Sequence, residues 1–117
     1  MGSSPDDLRA AALALPEAEE KDHFGAPSFR VNGKIFAQIA VRDGGKALLR
    51  LPQGRRELLW EVRPEVFTPS VWGKIISCYV ALEGIEPDEL AELVRASWAE
   101  IAPKKLVAAH PSLPPGG

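Results

Sequence analysis

Cysteine occurs once in this chain of 117 residues, at position 78. A single thiol excludes an internal disulfide and any zinc site built on several cysteines. No apolar run approaches the roughly 20 residues that a membrane-spanning helix needs. The first residues lack a basic segment followed by an apolar stretch, so no secretory signal is expected and a cytoplasmic location is. Phosphate-binding fingerprints are missing as well, because "RDGGK" is too short for a P-loop or a dinucleotide turn. No G-x-S-x-G nucleophile motif occurs. Histidine is scarce: His23 lies inside the patterned region, His110 close to the C-terminus.

What is present describes an ordinary globular chain, 45% hydrophobic and 26% charged, of a length that supports one core. A single domain is expected over residues 1–107, followed by a flexible tail over 108–117 that contains "HPSLPPGG". The formal net charge is −2. Acids dominate both ends, whereas residues 21–82 hold ten basic residues against five acidic ones. The positive charge is therefore segregated, and its direction in space matters more than the total.

Ser4-Pro5-Asp6-Asp7 reads as a helix start, with a serine cap, proline at the first helical position and acids in the first turn. Leu8, Ala11, Ala12 and Leu15 share one face of that helix, and Pro16 ends it. A second helix is expected over Gln53–Val62, before Pro64. The closing helix opens at Pro87, carries an apolar stripe of Leu90, Leu93, Val94, Trp98 and Ile101, and stops at Pro103.

The remaining pattern is that of strands. Asn32-Gly33 and Asp43-Gly44-Gly45 are turn signals that divide a meander. Three-residue loops at both places keep one face uniformly apolar, with Phe29, Ile35, Ala37, Ile39, Val41 and Leu49 inward. Arg30, Lys34, Phe36, Arg42, Lys46 and Arg50 then point the other way, along with Ser28, Gln38, Ala40 and Leu48, and no acid joins them. A fourth strand over Lys74–Leu82 turns Ile76, Cys78 and Val80 inward and Tyr79 outward. With the terminal helices covering the apolar face, the expected fold is α+β: a two-layer sandwich, an antiparallel sheet with the terminal helices packed on one face.

Candidate chemistry is sparse. Asp22 adjoins His23, but neighbours along a strand point to opposite faces, so His23 reads as a packed or hydrogen-bonded residue where a hairpin begins. Cys78 reads as a small core side chain. The acids from Glu17 to Asp22 lack the spacing of a calcium loop, and no cofactor or tight metal site is expected. The basic face offers cations for phosphates, with Phe36 and Tyr79 as stacking rings. An alternative is a non-catalytic small-molecule pocket between sheet and helices near Phe24, Trp60, Phe67, Trp72 and Trp98.

Four blocks carry a resemblance that spans nearly the whole chain: "LPEAEEKDHFGAPSFRVNGKIFA", "LLRLP", "RPEVFTPSVWGK" and "APKKL". With these the chain resembles the MmcQ/YjbR family of small bacterial proteins. The resemblance implies a frataxin/CyaY-type arrangement of helices on one face of an antiparallel sheet. It also implies DNA as a partner through a proposed "double wing", with Arg30, Lys34, Phe36, Arg42, Lys46 and Arg50 as the residues of this chain in position to serve. It implies no catalytic residue, and the expected activity is binding, not catalysis.

Overall fold

The computed structural model describes residues 2–41 and 44–111, without the side chain of Trp72. Six antiparallel strands form one sheet in the order β1-β2-β3-β4-β6-β5. They are β1 (Glu19–His23), β2 (Ala26–Val31), β3 (Lys34–Ala40), β4 (Lys46–Leu49), β5 (Phe67–Trp72) and β6 (Ile75–Val80). The helices are α1 (Pro5–Leu13), α2 (Gln53–Val62), α3 (Pro87–Ile101) and α4 (Lys104–Ala109). This is the expected two-layer α+β sandwich.

Local chemistry sets the helix bounds. The Ser4 hydroxyl accepts from the Asp7 backbone N–H, and the Asp7 carboxylate accepts from the Ser4 N–H at 2.8 Å, a reciprocal capping box. In α3 the stripe of Leu90, Leu93, Val94 and Trp98 is buried. The Trp98 indole N–H donates to the Pro16 carbonyl at 3.0 Å, fixing the chain that leaves α1. The boundary expected between residues 107 and 108 falls inside α4, and residues 112–117 lie outside the described residues.

One row of side chains across the sheet, Phe29–Ala37–Leu49–Cys78, is fully buried. Helices α1 and α3 pack on this inner face and on each other. Glu20, opposite Phe29 on β1, is bound by Arg9 of α1 with Nε to Oε1 at 2.9 Å, so β1 is tied to the same layer. Helix α2 rests against β5, and Arg63 links it to Glu89 of α3 at 2.6 Å.

The pairings correct the expected register in two places. Asn32 and Gly33, with φ of 53° and 77°, form a two-residue turn that pairs Val31 with Lys34 and Arg30 with Ile35. A bulge then restores the pairing of Phe29 with Ala37 and leaves Phe36 as the extra residue. Phe36, expected on the outer face, is buried in the core. The Ser97 hydroxyl of α3 donates to the Phe36 carbonyl and accepts from the Arg50 N–H at 2.6 Å, so the bulge has its backbone partners. Between β3 and β4 the pairs run Ala40–Lys46 and Ala37–Leu49, two residues from the expected register. An even offset leaves the side chains from Ala37 to Ala40 and those of β4 on their expected faces. Val41, expected inward, instead follows the end of β3 and is 55% exposed beside the outer face.

Candidate ligand-binding face

Opposite the helices, a second row crosses the sheet: Lys21, Ser28, Gln38, Leu48, Tyr79 and Thr68. Above it lies an open concavity of about 630 Å³. Gln38, Ala40, Leu48 and Tyr79 line it from β3, β4 and β6, while His23, Phe24 and Ala26 come from the first hairpin. Its walls are mostly apolar.

Two residues of this concavity are conspicuous for their exposure. Phe24 is 90% exposed and Val41 is 55% exposed, each on a connection between strands. Phe24 and Gly25 are the central residues of the β1–β2 turn, with φ of 53° and 86°. The Asp22 carboxylate accepts from the Gly25 N–H at 3.2 Å and stabilises this turn. Phe24 meets the His23 ring edge-on, with centroids 4.7 Å apart.

Arg30 donates from Nη2 to His23 Nδ1 at 3.4 Å and from Nε to Ser28 Oγ at 3.3 Å. Ser28 in turn donates to the Lys21 carbonyl at 2.7 Å, so this buried hydroxyl is satisfied. With Nδ1 accepting from a guanidinium, the neutral His23 ring carries its proton on Nε2. Lys46 places Nζ 5.9 Å from the centre of the Tyr79 ring, within cation–π range. Burial lowers the pKa of Arg50 from its ordinary value.

The expected basic set is therefore divided. Arg30 and Lys46 stand on the outer face beside the concavity, and Arg50 follows β4 in alternation with Leu48. Lys34 is exposed at a hairpin end opposite inward-facing Val31, apart from the others. Phe36 is in the core, and Arg42 lies outside the described residues. Strand β1 adds Glu19, opposite Arg30 and 3.9 Å from Lys21, so the outer face is not free of acids.

The aromatic set expected to line an inner pocket is also split. Phe67 and Trp98 are core residues, Trp60 is partly buried beside them, and Phe24 belongs to the opposite side of the sheet. The side chain of Trp72 lies outside the described residues. Cys78 is fully buried, and burial pushes its thiol up to about 11. Among the described residues no three His, Cys, Asp or Glu side chains come together in a way that could hold a metal ion. No helix among them is long and apolar enough to cross a membrane.

The family model named YjbR matches residues 13–100, which run from the end of α1 through α3. The chain belongs to the YjbR family. The YjbR fold described here is similar to the crystal structure of Deinococcus radiodurans protein DR2400, which carries a DUF419 domain. That likeness has a TM-score of 0.75 at 22% identity and covers 92% of this chain and 87% of the other. At that identity it speaks for the fold alone. None of the curated proteins matches this YjbR chain.

Proposed function

We propose that this YjbR-family chain is a non-enzymatic binding protein whose outer sheet face takes a nucleic-acid strand. One observation carries the reading. The face opposite α1 and α3 sets Arg30 and Lys46 around an apolar floor that ends in the Phe24 and Tyr79 rings. Cations supply sequence-independent attraction to phosphates, and rings stack on unpaired bases. An antiparallel sheet with helices behind it and aromatics in front is a physically suitable platform for a single strand. Few cations contribute, so the binding should be modest and only moderately dependent on salt.

Fluorescence anisotropy of labelled oligothymidylate and of a duplex, at several salt concentrations, tests this. With three or four phosphate contacts the logarithm of affinity should fall against the logarithm of salt with a slope of about −2 to −3 for the single strand. Arg30→Gln with Lys46→Gln should flatten that slope by roughly one to two contacts. No binding at low salt, or an unchanged slope in the double variant, removes the reading.

A further inference from the structure

We infer that the outer concavity is a binding site for a planar aromatic group bearing an anionic substituent, with Phe24 closing over its ring. The inference deepens the reading above and rests on it only in taking the outer face as the ligand-binding face. It does not require the ligand to be a polymer.

Phe24 is the starting point. A non-glycine residue at φ 53° in a two-residue turn is strained by contact between its Cβ and the backbone, at a cost of roughly 1–2 kcal/mol. Asparagine relieves that strain through local polar contacts, and the β2–β3 hairpin of the same sheet uses Asn32-Gly33 in the equivalent turn. The β1–β2 hairpin instead places a bulky ring there and leaves it 90% exposed, with the edge of His23 as its ring contact. Backbone strain with an exposed aromatic, at the mouth of a concavity, is the arrangement expected of a ligand clamp.

The concavity supplies the rest of the site. Its volume of about 630 Å³ falls in the range of small-ligand pockets, roughly 300–1,000 Å³. Leu48, Ala40 and Ala26 give the floor its apolar surface around Gln38, Val41 stands exposed at the rim, and Tyr79 adds a second ring. Among the described residues no carboxylate lines it, and Asp22 is turned to the Gly25 N–H. Arg30 beside His23 and Lys46 over Tyr79 provide positive charge at two borders. An apolar surface favours an aromatic ring, and the two cations favour an anion over a cation. A nucleotide within a strand and a free aryl sulfonate, carboxylate or phosphate share this chemistry.

The probe is anilinonaphthalene sulfonate, a fluorescent planar anion, compared with neutral N-phenylnaphthylamine and with octanoate, an aliphatic anion. Full-length wild type, Phe24→Ala, Arg30→Gln/Lys46→Gln and Val71→Ser are titrated after each has shown a cooperative thermal transition. Val71, 66% exposed on the β5–β6 hairpin, is an apolar control away from the concavity. The expected result is saturable binding of the sulfonate to wild type, weakened about tenfold by Phe24→Ala and unaffected by Val71→Ser. The double cation variant should weaken sulfonate binding about two- to fivefold while leaving the neutral analogue unchanged. Octanoate should compete poorly. Absence of saturable binding to wild type, or equal binding by wild type and Phe24→Ala, overturns the inference.

Oligothymidylate is then tested as a competitor to separate the two sources. Competition supports a nucleotide as the occupant. Sulfonate binding without any strand binding leaves the inference standing and removes the nucleic-acid reading. Strand binding without sulfonate binding removes the inference alone.

Discussion

The two faces of the sheet are made from alternate residues of the same strands, yet they differ in what covers them. Phe29, Ala37, Leu49 and Cys78 face inward and are sealed by α1 and α3. Ser28, Gln38, Leu48 and Tyr79, each one residue away, face outward, on the side opposite α1 and α3. The inner row has the composition of a core and the outer row mixes a polar border with an apolar floor. Stability is thus concentrated on one face, leaving the other free to vary its chemistry at little cost in folding.

Phe36 tests that division most severely, since simple alternation assigns it to the outer face and the bulge places it in the core. Phe36→Ala should destabilise by about 3–5 kcal/mol, as large-to-small changes of buried aromatics do. Leu48→Ala, on the outer row, should cost about 1 kcal/mol or less. Urea denaturation of both variants provides the measurement. Similar losses in the two would erase the distinction between the faces.

Ser97 sharpens the same point from the helix side. It is the polar residue in the buried stripe of α3, and its hydroxyl joins the Arg50 N–H to the Phe36 carbonyl. Ser97→Ala removes that bridge inside the core and should cost about 1–3 kcal/mol. A loss below about 0.5 kcal/mol would show that packing and the direct Arg50 N–H to Phe36 carbonyl bond at 3.3 Å hold the bulge without this bridge.

A smaller effect belongs to Cys78, the inner-row thiol opposite Leu49 in the ladder. Burial raises its pKa from 9.0 to about 11, so the folded state holds the proton that the unfolded chain releases between those values. This contribution is complete below about pH 9 and is lost as pH rises, by at most about 1.4 kcal/mol per pH unit. Denaturation midpoints of wild type and Cys78→Val across that interval should diverge, with wild type falling faster. Parallel midpoints would show that the thiol is not held neutral by the core.

Much of this architecture was legible because local signals agreed with the tertiary result. The Ser4 cap, the bounds of α2, the α3 stripe and the facing of β3 from Ala37 to Ala40, of β4, and of Cys78, Tyr79 and Val80 in β6 follow from spacing and turn residues. Ile76, expected inward, is instead 40% exposed near the β5–β6 turn. Strand β1 was hidden, since "EEKDH" has no apolar alternation and is extended through its pairing with β2. Strand β5 was hidden by Pro69, which an edge strand tolerates. Phe36 was misplaced because its bulge is satisfied by Ser97, 61 residues away. The concavity was only half visible. Alternation gave Gln38, Leu48 and Tyr79, whereas Phe24 and Val41 come from two separate connections that only the folded sheet brings to one rim.

The last comparison sets one turn against another. Both β1–β2 and β2–β3 close through two residues with positive φ, Phe24-Gly25 and Asn32-Gly33. Asparagine suits that backbone and phenylalanine does not. If Phe24 is kept for its ring and not for the fold, Phe24→Asn should stabilise the free protein while weakening capture of an aromatic anion. The expected gain is a few tenths to about 1 kcal/mol, read as a rise of about 2–5 °C in the thermal midpoint. The His23 edge contact works against this gain, because it disappears with the ring. Aromatic pairs contribute about 0.5–1.5 kcal/mol when packed, and the 90% exposure of Phe24 puts this one at the low end. A midpoint that falls in Phe24→Asn would mean that the ring supports the folded hairpin directly. Phe24 would then belong to the structural side of the comparison, and its strained backbone would no longer point to a ligand.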